Sequence, residues 1–216
     1  LRRRHEFLHN LLHRRLLRLG AEHLPLQLRF APRDVEDGLN NSLTDFIHHP
    51  VHLDPDPEAL EEIPELAMAG HPSVKIFLSF KRFDRNVDDF LRAMRVAAQA
   101  GSVVLLHCED AALMGCCGEL VREAGLTSHR HYPETRPVVA ERIATERAVG
   151  FCEISGAATY VVHLSSQAAL DVCRSGRARG LPLYVETRPI YLHLERARFD
   201  EPDGAKYAGA PPLRQE

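Results

Sequence analysis

Residues 73–107 read SVKIFLSFKRFDRNVDDFLRAMRVAAQAGSVVLLH. The apolar run SVKIFLSF (73–80) predicts a strand. NVDDFLRAMRVAAQA (86–100) carries apolar residues at helical spacing behind Asn86, a residue type suited to cap a helix N-terminus. A second apolar run, SVVLLH (102–107), predicts another strand. Two strands separated by a helix-long connection lie parallel, because tight turns join only antiparallel neighbours.

The same rhythm continues on both sides. Upstream, TDFIHHP (44–50) predicts a strand and EALEEIPELAMA (58–69) a helix. Downstream, DAALMGCCGELVREAG (110–125) predicts a helix ended by Gly125, and a loop, LTSHRHYPETR (126–136), leads to a helix opened by Pro137 and running toward Gly150–Gly156. Strand ATYVVH (158–163), helix SQAALDVCRSGRARG (166–180) and strand PLYVET (182–187) complete five strands with long crossovers. A sandwich of hairpins is excluded. An open doubly wound sheet and part of a (β/α)8 barrel both fit, and periodicity does not separate them.

Composition sets outer bounds. With 216 residues and an apolar fraction of 44%, the chain can bury one ordinary core. It contains no run of 18 or more apolar residues. LRRRHEFLHNLLHRRLLRLG (1–20) has neither the apolar stretch nor the small-residue cleavage site of a secretory signal, so the expected location is cytoplasmic, away from the membrane. Cys108, Cys116, Cys117, Cys152 and Cys173 lack zinc-ribbon spacing and are expected as reduced thiols. Residues 1–42 hold eight arginines, five acids and no lysine. Leu8, Leu11, Leu12, Leu16 and Leu19 fall on one helical face beside Arg14, Arg15 and Arg18. Such a basic amphipathic helix could act as a binding module, but no nucleic-acid motif accompanies it, and a surface helix packed on its own domain is the simpler reading. The expected division is an atypical basic segment, 1–42, followed by a catalytic-type βα region, 43–216.

Polar residues in or at the ends of apolar strands carry the chemistry: Lys75 within SVKIFLSF, His107 closing SVVLLH and His163 closing ATYVVH. One strand-end histidine is most simply a satisfied polar group. Two at equivalent positions of successive units, followed by Glu109 and Asp110 in one case and by Ser165 and Ser166 in the other, point to a site at the C-terminal strand ends, where barrels collect their catalytic groups. Lys75 lies among Val74, Ile76, Phe77 and Leu78, where burial favours the neutral amine. A neutral amine can take up carbon dioxide, giving a carbamate able to bridge metal ions. Otherwise its head could snorkel to the strand end or pair with a carboxylate such as Glu109.

Taken in order, SVKIFLSFKRFD, LLHCED, TRPVVAERIATERAV, YVVHLSS, YVETRPIYL and GAKYAGAPPLR resemble successive landmarks of the dihydropyrimidinase and D-hydantoinase family of cyclic amidohydrolases, from about Thr44 to Arg214. The resemblance implies an α/β fold, a partial (β/α)8 TIM-type barrel with parallel strands, and a role in hydrolysing the C–N bond of cyclic amides such as hydantoins and dihydropyrimidines. It also implies two zinc ions per subunit, bridged by a lysine carbamate formed with carbon dioxide, and a tetrameric homo-oligomer. Carried over by position, Lys75 is the carbamylated bridge, and His107 and His163 are imidazole ligands of one metal.

Departures accompany the likeness. Residues 1–42 offer no strand-like HxH pair, and the aspartate expected to bind the other metal and move the proton should lie beyond the PPLR landmark, so at most one zinc is expected here. The substrate-contacting tyrosine five residues after the lysine is Phe80, and the serine before PPLR is Ala210. Activity of the chain alone is therefore expected to be negligible. The alternative is a non-catalytic scaffold of the collapsin-response type, against which retention of Lys75, His107 and His163 speaks.

Overall fold

A computed structural model of the chain describes residues 40–43, 49–52 and 55–215. The basic leucine-rich helix expected near the start, and most of the TDFIHHP strand, lie outside the described residues.

Four strands form one sheet in the order β1-β2-β3-β4: β1 Ser73–Phe77, β2 Val103–His107, β3 Thr159–Val161 and β4 Leu183–Val185. All neighbouring pairs are parallel. A fifth element reaches the free edge of β1: the Lys75 N–H donates to Pro50 O and the His52 N–H donates to Lys75 O, each at 2.7 Å, closing a parallel bridge between Val51 and Lys75. Lys75 thus lies inside the sheet, flanked by Val51 and Leu105.

Helices fill the crossovers: α1 Pro57–Met68, α2 Lys81–Arg85, α3 Val87–Gln99, α4 Ala111–Glu123, α5 Val138–Ser155, α6 Gln167–Ala178 and α7 Pro189–His193. Their starts follow from local chemistry. Asp56, Asp110 and Ser166 each accept a hydrogen bond from a backbone N–H of the first helical turn, satisfying one of the donors that a helix start leaves open. Asn86 occupies the N-cap position of α3 as expected, but its side chain makes no capping bond and its backbone, at φ −129° and ψ 33°, continues from α2. After α4 and α5 the chain turns through Gly125 and Gly156 at φ +73° and +71°, a conformation that costs other residue types a Cβ clash.

Register divides the sheet into two faces. Val74, Ile76, Val104, Leu106 and Val161 point toward α1, α3, α5 and α6 and form the core with Phe83, Phe90, Met94, Ala144, Ala148 and Cys173. Lys75, Phe77, Leu105, His107, Tyr160 and Tyr184 share the other face, because side chains alternate along each strand. The core helices pack on the first face, the arrangement in which the helices of a barrel surround its strands.

Two boundaries differ from expectation. β1 ends at Phe77, and the remainder of SVKIFLSF turns into the short helix α2. β3 ends at Val161, so His163 lies two residues past the strand it was expected to close.

Candidate functional site

His107 is the last residue of β2 and is buried. Its Nδ1 lies 3.0 Å from His163 Nε2, with the rings edge to face. His163 reaches this position through a left-handed backbone, φ +42°, unusual for a non-glycine residue. Neighbouring strands hold that conformation from both sides: the Val162 N–H donates to Leu106 O at 3.2 Å and the Leu164 N–H to Glu186 O at 2.7 Å. The Thr187 hydroxyl donates to Leu164 O at 2.8 Å.

The residues that follow the two histidines repeat one pattern. Two positions on, Glu109 and Ser165 join buried polar networks; three positions on, Asp110 and Ser166 cap α4 and α6. The acidic and serine doublets are therefore not uniform site residues. Half of each starts a helix.

Glu109, wholly buried, accepts from His107 Nε2 at 2.8 Å and from both Nε and Nη2 of Arg136, at 3.0 and 2.5 Å. Burial alone would raise this carboxyl, but the bonds from His107 and Arg136 outweigh it and hold Glu109 below its usual range. An ionised Glu109 accepts from Nε2, so the neutral tautomer of His107 that it selects has its Nδ1 lone pair facing His163. The possibility that Glu109 pairs with Lys75 is not realised: its oxygens are taken by Arg136 and His107.

Burial, the neighbouring His107 and the charge of Lys75 push His163 down to about 3, so its ring is neutral across physiological pH. Its Nδ1 is buried without a hydrogen-bond partner among the described residues. Burial also pushes Lys75 down to about 8, against the opposing influence of Cys108 and Glu186. Its Nζ stands 4.9 Å from the centre of the Phe77 ring, which in turn contacts the ring of His107. Roughly a tenth of such an amine is neutral at pH 7, against a few parts in ten thousand for an ordinary lysine.

Phe80 precedes α2, half exposed, with its ring 5.3 Å from that of Phe77. Ala210 is half-buried in a segment held at both sides, where the Tyr132 hydroxyl donates to Gly209 O at 3.0 Å and the Tyr191 hydroxyl to Pro211 O at 2.7 Å. Arg136, Glu141, Arg214 and the two tyrosines were not singled out by the sequence. Arg136 and Arg214 sit in TRPVV and PPLR, but a lone arginine carries no periodic signal, and both act through folded partners.

The donor set can be tested against a metal ion. Among the described residues no three His, Cys, Asp or Glu side chains group as a metal cage. An ion would depend on Lys75 as third donor, in anionic form. Two imidazole nitrogens on one zinc stand roughly 3.3 Å apart at tetrahedral angles with bonds of about 2.0 Å, close to the separation found. The carboxylate behind His107 is the usual outer partner of a metal-binding imidazole. The two imidazoles thus have the spacing and outer support that ligands of one ion would need.

The chain is 36% identical over 177 residues to a D-phenylhydantoinase from Escherichia coli, a match covering 81% of this chain and 38% of that protein. The chain is a relative of the D-hydantoinases and dihydropyrimidinases. A D-hydantoinase structure from a Thermus species superposes with a TM-score of 0.78 at 31% identity, over 85% of this chain and 41% of that one. The dihydropyrimidinase of Brevibacillus agri gives 0.77 at 28%, over 85% and 41%. This hydantoinase-like chain thus has an α/β fold, part of a TIM-type barrel with parallel strands, and spans about two fifths of the length of the relatives it matches. No family model matches the chain. Among the described residues no helix is long and apolar enough to cross a membrane.

Proposed function

We propose that this chain carries one metal-binding arm of a cyclic amidohydrolase site, serving hydrolysis of the C–N bond in cyclic amides of the hydantoin and dihydropyrimidine kind. The observation that carries this reading is the pair His107, at the end of β2, and His163, two residues past β3, 3.0 Å apart on the side of the sheet that also bears Lys75. Its relatives' names, D-phenylhydantoinase and dihydropyrimidinase, support the substrate class.

In this reading Lys75, as its carbamate, and the two imidazoles would hold a zinc ion. A bound zinc supplies a Lewis acid and a water of lowered pKa. The chain's own residues do the rest. Arg136 and Glu109 orient His107 and, in the neutral ring, select the tautomer with its proton on Nε2. The burial that keeps His163 unprotonated also keeps the Lys75 amine within reach of neutrality. Phe77 and Phe80 line the approach with apolar surface, and the strapped carbonyls around Ala210 offer acceptors to ring N–H groups.

The HxH pair and the proton-shuttling aspartate that the resemblance implies have no counterpart among the residues described, so hydrolysis by this chain alone is expected to be negligible. Phe80 favours a second reading, a non-catalytic scaffold, because a phenyl ring cannot donate to an oxyanion. Incubating the chain, with zinc and bicarbonate, with hydantoin and dihydrouracil tests this: no ring opening is expected. Zinc-dependent turnover abolished by Lys75→Ala would show the site complete. In the full-length protein, zinc-dependent turnover supports the enzyme, and its absence with no bound zinc supports the scaffold.

A further inference from the structure

Two arms hold the two imidazoles, and one residue joins the arms. On the His107 side, Glu109 accepts from His107 Nε2 and is gripped by the Arg136 guanidinium. On the His163 side, Ser165 donates through its N–H, at 2.7 Å, to Glu141 Oε1, and its hydroxyl contacts both Glu141 oxygens at 3.0 Å. Glu141 lies in α5 and is 1% exposed. Arg214 reaches both arms: its Nε donates to the Ser165 hydroxyl at 3.0 Å and its Nη1 to the backbone carbonyl of Arg136 at 2.5 Å. Its Nη2 lies 3.8 Å from Glu141 Oε2.

We propose that Arg214 is a positioning residue that locks the His107 arm to the His163 arm and so sets the spacing of the two imidazoles. The physical reason is geometric. The guanidinium is a rigid plane whose separate N–H groups point in fixed directions, so one side chain donates to a hydroxyl through Nε and to a carbonyl through Nη1 while its charge stands beside the Glu141 carboxylate; a lysine ammonium presents its donors from a single point and does not span the same acceptors. The His163 backbone adds a need for such a lock. A left-handed non-glycine residue persists only where its surroundings over-determine it, and Ser165, two residues on, is where Glu141 and Arg214 fasten that turn. The guanidinium is largely buried, and since its Nη2 makes no hydrogen bond among the described residues, the lock rests on Nε and Nη1.

This inference deepens the metal-site reading but does not depend on it for its test. The probes are imidazole 15N chemical shifts of His107 and His163 and amide exchange at Leu164 and Ser165, measured without metal, and then Co2+ affinity followed by its visible absorption. The variants are Arg214→Lys, which keeps charge and bulk, and Ile63→Val in α1 as a control for general destabilisation. Circular dichroism establishes that each is folded. Arg214→Lys is expected to change the shifts of both imidazoles and speed exchange at Leu164 and Ser165 selectively, and to weaken Co2+ binding by about 10-fold or more, in line with loss of outer support at metal sites. Ile63→Val is expected to change none of these selectively. If Arg214→Lys leaves both imidazoles and both amides as in wild type, the positioning role is overturned, whatever the metal result. If wild-type protein binds no Co2+ while the metal-free signals move as stated, the metal reading fails and the lock stands. Should Arg214→Lys not fold, Ser165→Ala removes the hydroxyl contact alone and is expected to shift His163 before His107; unchanged shifts there overturn the proposal.

Discussion

The Nδ1 of His107 and the Nε2 of His163 lie 3.0 Å apart although 56 positions separate them in the chain. Parallel register alone does not give this spacing. β2 carries His107 as its last residue, whereas β3 ends two residues short of His163, and a left-handed turn brings the second ring back over the first. Spacing of this kind is meaningful only if it is held.

Lys75 should form a carbamate. A neutral amine is the reactive species, and with Lys75 pushed down to about 8 the neutral fraction climbs steeply between pH 7 and 9. In 13C-bicarbonate, a carbamate carbonyl signal is expected that strengthens over this range and is missing from Lys75→Arg. A signal unchanged by that substitution would place the chemistry elsewhere.

Removing Arg136 should destabilise the fold strongly. Glu109 is wholly buried, and Arg136→Ala would leave its charge without its main partner, a situation that costs about 3–5 kcal/mol. Urea denaturation measures the loss. Arg136→Ala with Glu109→Gln should recover part of it, since the stranded charge is then gone; no recovery would mean that Arg136 acts through other contacts.

Stability should fall on acidification below about pH 6.5. His163 has a folded-state value of about 3, beneath its unfolded value, so between these limits the unfolded chain binds a proton that the folded one refuses. The contribution is intact above pH 6.5, diminishes as pH falls and is fully lost near pH 3. Thermal midpoints across this range should drop less in His163→Asn than in wild type. Equal slopes would show that other groups govern acid unfolding.

Restoring a hydroxyl at position 80 should raise turnover in the full-length protein. Phe80 lies beside Phe77 near the candidate site and donates no hydrogen bond. A donor to a developing oxyanion is worth roughly 10²–10³ in rate, and Phe80→Tyr should recover a part of that in kcat with little change in KM. A gain confined to KM would reassign the ring to substrate binding.

Much of this arrangement was legible in the residues. Apolar runs separated by helix-length segments gave β1, β2, the α3 crossover and the parallel sheet, because strand pairing and helix burial both leave a periodic trace. Lys75, His107 and His163 stood out because polar groups are costly in apolar strands. Less legible were the supports. Glu109 and Asp110 look alike in sequence, yet one is a buried acceptor and the other a helix cap, and only the direction in which the chain leaves β2 separates them. Arg136, Glu141 and Arg214 act across separations of 24 to 78 residues, which no local pattern records. The left-handed turn at His163 was hidden for the same reason: tertiary hydrogen bonds impose it on a residue with no such local preference.

The measurement that bears most directly on the central claim is calorimetric titration of Zn2+ into the purified chain with and without bicarbonate, alongside Lys75→Ala, His107→Ala and His163→Ala. The account predicts a single weak site, strengthened by bicarbonate and lost in all three variants. Binding that is indifferent to bicarbonate and survives each substitution would contradict it.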